Sequence, residues 1–97
     1  MSGQSKSADP TADSRRKRLR YQSWHRGTRE MDLILGPFID RHLSGLSVEE
    51  LDELERMLVV PDTTLYRWLS GQEDVLAEHD TGLYRRLKAW TDKAAKS

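Results

Sequence analysis

The run Ser47-Val48-Glu49-Glu50 constrains this chain more than any other segment. A serine followed three residues later by glutamate has the spacing of a reciprocal capping box. The serine oxygen accepts from the third helical amide, and the glutamate carboxylate accepts from the serine amide. Leu46 and Leu51 sit where a hydrophobic staple closes around that box. Leu51, Leu54 and Leu58 then recur at three- and four-residue steps, while Glu49, Asp52, Glu53 and Glu55 take the outer side. This pattern predicts a helix starting at Ser47 and stopped by Val59-Val60-Pro61.

The same alternation of cap, stripe and stop extends in both directions. Ser14 is placed to cap a segment reaching about His25, in which Leu19, Tyr21 and Trp24 stand among five basic residues. From about Arg29 to Leu43, Met31, Ile34, Leu35, Phe38 and Leu43 fall near one side and belong in a core. Pro37 has no amide proton and crowds the preceding turn, so a kink or short break is expected there, with Gly36 accommodating it. Asp62 is expected to cap a two-turn helix that buries Leu65, Trp68 and Leu69 before Ser70-Gly71. Residues 72–79 read as a loop, and Asp80 as the cap of a last helix carrying Leu83, Leu87 and Trp90. No strand-like alternation or internal repeat competes. The expected fold is all-α: a small bundle of about five helices over residues 14–92, with a disordered tail at 1–13 and a frayed end at 93–97.

Several functions are excluded by what 97 residues can hold. One small core leaves no room for a deep enzyme cleft, and without cysteine there is neither a disulfide framework nor a thiolate metal site. The stretch from Leu33 to Ile39 is far short of the roughly 20 apolar residues that span a bilayer. The start of the chain has no apolar centre of the kind a signal peptide requires, and Asp9 and Asp13 are wrong for a mitochondrial leader. A soluble protein of the cytoplasm is expected. His25, His42 and His79 are scattered without ligand spacing, so no metal is expected. Trp68 and Trp90 have core spacing, and Tyr66 is open to a surface position.

The zero formal charge conceals an asymmetry. Residues 1–30 contain eight Lys/Arg against three Asp/Glu, whereas residues 31–60 contain two against seven. Such separated fields suit a molecule that offers different faces to different partners. Between the two halves lies His25-Arg26-Gly27-Thr28-Arg29-Glu30-Met31-Asp32. Gly27 tolerates positive φ and close backbone approach, Arg26 and Arg29 present forked donors, and Glu30 suits the positive end of the next helix. Taken alone, these residues also fit a plain helix corner with solvated charges.

Together with other segments, this corner resembles the succinate dehydrogenase assembly factors known as SdhE in bacteria, a family with a mitochondrial branch. The resemblance covers roughly residues 15–90. It rests on an Arg-Gly-x-x-Glu element met by Arg26, Gly27 and Glu30, followed by Asp32, then Pro37-Phe38, Leu46-Ser47 and Pro61-Asp62 leading to Trp68. It implies a non-enzymatic assembly factor that binds the flavoprotein subunit of succinate dehydrogenase, and by extension that of fumarate reductase. The factor would promote covalent attachment of FAD to a client histidine. FAD would be handled on the client and not bound stably by this chain, which is expected to be a monomer. The implied contacts are Arg26, Gly27 and Glu30, with Arg29 and Asp32 as weaker additions. Two rivals stand beside it. The run from Arg15 to Tyr21 has the charge and aromatic content to track nucleic acid, and regulation of an inner-membrane toxin has been proposed for such proteins.

Overall fold

The computed structural model of the chain describes residues 10–95, and the capping box forms within it. Ser47 Oγ accepts from the Glu50 amide at 3.1 Å, and the Glu50 carboxylate accepts from the Ser47 amide at 2.9 Å. The helix it starts, α3 (Val48–Val59), is preceded by α1 (Pro10–Trp24), α2 (Arg29–His42) and a 3-10 turn at Leu43–Gly45. It is followed by α4 (Asp62–Leu69), a 3-10 turn at Ala77–His79 and α5 (Gly82–Ala95). There is no strand among the described residues. The fold is therefore the expected all-α bundle. α1 packs along α2 and touches α3, while α5 lies against α2, α3 and α4.

The stripes converge on one core. Leu19, Leu35, Ile39, Leu54, Leu65, Leu69, Leu83 and Leu87 are fully buried, with Met31, Phe38 and Leu51 close behind. Met57, Val60 and Tyr84 join them, and Trp90 packs against the cluster partly exposed. Ser23 is the exception in an apolar interior, and its hydroxyl donates to the Leu19 carbonyl four residues earlier at 2.8 Å.

Several boundaries differ from expectation, each for a physical reason. α1 begins at Pro10, not Ser14, so residues 10–13 are helical; residues 1–9 lie outside the described part. Proline suits a first helical turn because its φ is preset and the missing donor has no intrahelical partner there anyway. α5 continues through Ala95, so residues 93–95, expected as a frayed end, lie within the helix; residues 96–97 are outside the described part. α2 runs through Pro37 without a break. Burial of Leu35, Phe38 and Ile39 around the proline outweighs the one backbone bond it removes.

Gly36 serves a different purpose from the one expected. A Cβ on it would lie 2.4–2.6 Å from ring atoms of Trp24, so the bare backbone of α2 is the seat of that indole. The indole Nε1 donates to Asp40 Oδ1 at 3.2 Å, and Arg20 Nε donates to the same oxygen at 2.8 Å.

The two acids expected to cap helices do not. α4 starts with Asp62 already inside it, and Pro61 at the cap position supplies no side-chain bond. At α5, Thr81 Oγ1 accepts from the Tyr84 amide at 3.0 Å, while Asp80 pairs with Arg85 at 2.9 Å. In both cases an arginine within reach outcompetes the backbone amides for the carboxylate.

The charge asymmetry is largely satisfied within the chain. Arg15 binds Asp52 and Glu55, Arg18 binds Glu55 at 2.8 Å, and Arg20 binds Asp40. The cationic side of α1 thus faces the acidic side of α3, which offsets part of the positive charge carried by the run from Arg15 to Tyr21.

Two stability measurements follow. Gly36→Ala gains up to about 1 kcal/mol of helix propensity but meets the Trp24 ring, with an overpacking cost of roughly 1–3 kcal/mol. Its urea midpoint should fall, while Gly82→Ala, where the added Cβ meets nothing within 4 Å, should leave the midpoint unchanged or raise it. A rise for Gly36→Ala would show that Trp24 is not seated there. Acid titration checks the ion pairs. Hydrogen bonds from Arg15 and Arg18 hold the Glu55 carboxyl below its ordinary value of 4.5, and the Ser47 amide does the same for Glu50. These depressed values contribute stability that is fully present above about pH 4.5 and lost as pH falls through the folded-state values. Glu55→Gln should flatten that acid-side loss.

Candidate functional site

The corner between α1 and α2 is built around Arg26. Its guanidinium reaches across to the far end of α3 and the start of α4. Nε donates to Asp62 Oδ1 at 2.7 Å, Nη1 to the Leu58 carbonyl at 2.5 Å and Nη2 to the Val60 carbonyl at 2.8 Å. Leu58 and Val60 lie at the C-terminal end of α3, where carbonyls lack intrahelical partners and the helix dipole favours a cation. Asp62 stands in the first turn of α4, where the dipole favours an anion. One arginine therefore joins two helix ends across Pro61. The pair is largely buried, with side-chain exposures of 10% for Arg26 and 14% for Asp62.

The backbone of the corner is held as firmly. The Arg26 amide donates to Asp32 Oδ1 at 2.6 Å, so Asp32 ties the first turn of α2 back to the end of α1. Thr28 caps α2, its Oγ1 accepting from the Met31 amide at 3.3 Å. Between them Gly27 has φ +117°, a conformation that side chains rarely adopt. A Cβ there would be only in ordinary contact, 3.6 Å from Asp62 Oδ2, so it is the dihedral angle more than crowding that calls for glycine.

The five residues singled out from sequence thus fall into two groups. Arg26, Gly27 and Asp32 form the corner, with the charged groups of Arg26 and Asp32 turned toward their own chain. Arg29 and Glu30 are exposed in the first turn of α2, and neither has an ion-pair or side-chain hydrogen-bond partner among the described residues. Glu30 borders a depression of about 330 Å³ lined by Thr28, Met31, Asp62, Thr63 and Tyr66. Sequence reasoning had no place for Thr63 in this site and gave Asp62 a capping role. The adjacency of Asp62 to the Arg-Gly-x-x-Glu element depends on a contact spanning 36 residues, which no local pattern carries.

The remaining polar clusters offer less. His42 lies tilted beside Phe38 and edge-on to Trp90, ring centres 4.6 and 6.0 Å away, and burial, aided by Arg86 and Arg41, pushes its pKa below the usual histidine value. His25 lies on Tyr21 at 4.0 Å and His79 beside Trp68 at 5.5 Å. Among the described residues no three His, Cys, Asp or Glu side chains are grouped so as to hold a metal ion, and no helix is long and apolar enough to cross a membrane.

Comparison with known proteins identifies relatives that span most of this chain. The family described as flavinator of succinate dehydrogenase, Sdh5, matches residues 17–91. An "FAD assembly factor SdhE" of Acetobacter pasteurianus is 35% identical over 80 residues, covering 82% of this chain and 73% of that protein. A mitochondrial "succinate dehydrogenase assembly factor 2" of Debaryomyces hansenii is 49% identical over 63 residues, 65% of this chain. A mitochondrial factor "2-B" of Drosophila mojavensis is 31% identical over 93 residues, 94% of this chain. The chain spans 44% of the yeast protein's length and 59% of the fly protein's. On the extent of these matches, the chain belongs to the SdhE family of succinate dehydrogenase flavinators and assembly factors.

Proposed function

We propose that this protein binds the flavoprotein subunit of succinate dehydrogenase and promotes covalent attachment of FAD to it, a reading supported by relatives named as a flavinator, an FAD assembly factor and an assembly factor of succinate dehydrogenase. The observation that carries the proposal at the level of residues is the exposed Glu30, without a partner among the described residues and held on a corner built by Arg26, Gly27 and Asp32. The flavin and its acceptor histidine belong to the client. The factor supplies no reacting group and acts by biasing the client toward the geometry in which the bond forms, an effect of orientation and charge placement.

Within that reading, the element divides its work. Glu30 meets a cation of the client, and Arg29 supplies a neighbouring charge of opposite sign. Arg26 and Asp32 act through the backbone they hold, and Gly27 permits the turn that aims α2. The flavoprotein of fumarate reductase is a second client of the same chemistry. The factor works as a monomer in the cytoplasm, with FAD bound on the client and not stably on this chain.

The test is covalent flavin on the succinate dehydrogenase flavoprotein, read by fluorescence of the denatured subunit from host cells lacking this protein. Flavinylation should fall severalfold or more, return with the wild-type gene and fail to return with Glu30→Ala, whose folding should be unaltered. Undiminished flavinylation in the deletion strain would refute the function. Full rescue by Glu30→Ala would refute the role given to Glu30.

A further inference from the structure

The depression beside Glu30 has Tyr66 in its wall. That ring also lines a second depression of about 470 Å³, whose other walls include Leu33, Ile34, Leu69, Trp90 and Ala94. α2 thus supplies one wall throughout, from Glu30 and Met31 to Leu33 and Ile34, with α4 opposite and α5 closing the far end. Leu33 is 54% exposed and Tyr66 41% exposed, and both belong to this surface. A polar chain with so few large exposed apolar side chains has placed two of them in one trough running from the Arg-Gly-x-x-Glu corner.

We infer, resting on the client-binding reading above, that this trough seats an apolar segment of the client flavoprotein, oriented by a lysine or arginine of that segment at Glu30. Charge complementarity argues for this occupant. At one end stands a carboxylate without a partner among the described residues. At the other, Asp92 is already held by Lys88 at 2.8 Å. A segment with apolar side chains and a cation at one end therefore has a single favourable direction. The apolar contacts supply affinity and the Glu30 pair supplies register.

The absence of native cysteine makes the test direct. Full-length protein carrying Leu33→Cys, labelled with a benzophenone maleimide, is illuminated with the purified apo-flavoprotein and the products are mapped by mass spectrometry. Val48→Cys, on an exposed position of α3 (60% exposed), serves as the control. Position 33 should crosslink to the client at least tenfold more than position 48. The adduct should map to an apolar segment with Lys or Arg within a few residues. Leu33→Ser should weaken client binding about tenfold without shifting the unfolding midpoint. Equal yields from both positions, while Glu30→Ala still blocks flavinylation, would overturn the trough and leave the function standing. Adducts to a second copy of this chain, or to an acidic client segment, would also overturn the inference. Loss of all three effects, with Glu30→Ala fully active, would remove the client-binding role of the corner as well.

Discussion

The contact between Arg26 and Asp62 is the constraint on which this corner of the molecule depends. A buried arginine is costly unless its donors are met, and here they are met by a carboxylate and two carbonyls that themselves lack partners. The guanidinium relieves the end of α3, the carboxylate favours the start of α4, and the arginine's own amide is tied to Asp32 at the start of α2. Four helix ends thereby meet at one residue. Removing Arg26 leaves the Asp62 carboxylate and two carbonyls without their donor, and removing Asp62 leaves the largely buried Arg26 without its counter-charge, so the pair fixes geometry more surely than its net energy would suggest.

That geometry has a functional consequence. Because Asp62 is pinned, α4 is set so that Thr63 and Tyr66 stand beside Glu30, although they follow it by more than 30 residues. Because Trp24 rests on the bare backbone of Gly36, α1 approaches α2 closely enough for Arg26 to reach across. The inward charges of Arg26 and Asp32 free the outward face for Glu30 and Arg29. A factor that assists chemistry on another protein needs this kind of rigidity, since ordering a loose surface on binding would reduce affinity for the client.

The helices were legible in sequence because their signals are local. The box at Ser47, the stripe of Leu51, Leu54 and Leu58, and the spacing of Leu83 and Leu87 all act within a few residues. Asp62 and Asp80 have the local spacing of caps but pair with arginines that compete with the local amides, and for Asp62 that arginine is remote in sequence. Gly36 looked like an accommodation to Pro37 because its true neighbour, Trp24, is on another helix. The charge asymmetry, read along the chain, fits faces for separate partners, but in the fold α1 and α3 partly neutralise each other through Arg15, Arg18 and Glu55. For the site, the residue types of the Arg-Gly-x-x-Glu element were visible, but which charges turn inward was set by tertiary contacts.

The most direct measurement of this division is a double-mutant cycle on Arg26→Ala and Asp62→Ala, read by urea unfolding, with Glu30→Ala measured alongside. Each single variant of the pair should lose roughly 2–3 kcal/mol, at or just below the ~3–5 kcal/mol that breaking a fully buried ion pair costs, because both groups keep some solvent contact. The double variant should lose little more than either single one, a coupling above about 1 kcal/mol, and Glu30→Ala should stay within about 0.5 kcal/mol of wild type. Small, additive losses for Arg26→Ala and Asp62→Ala, of the size expected for a solvent-exposed pair, would contradict the account.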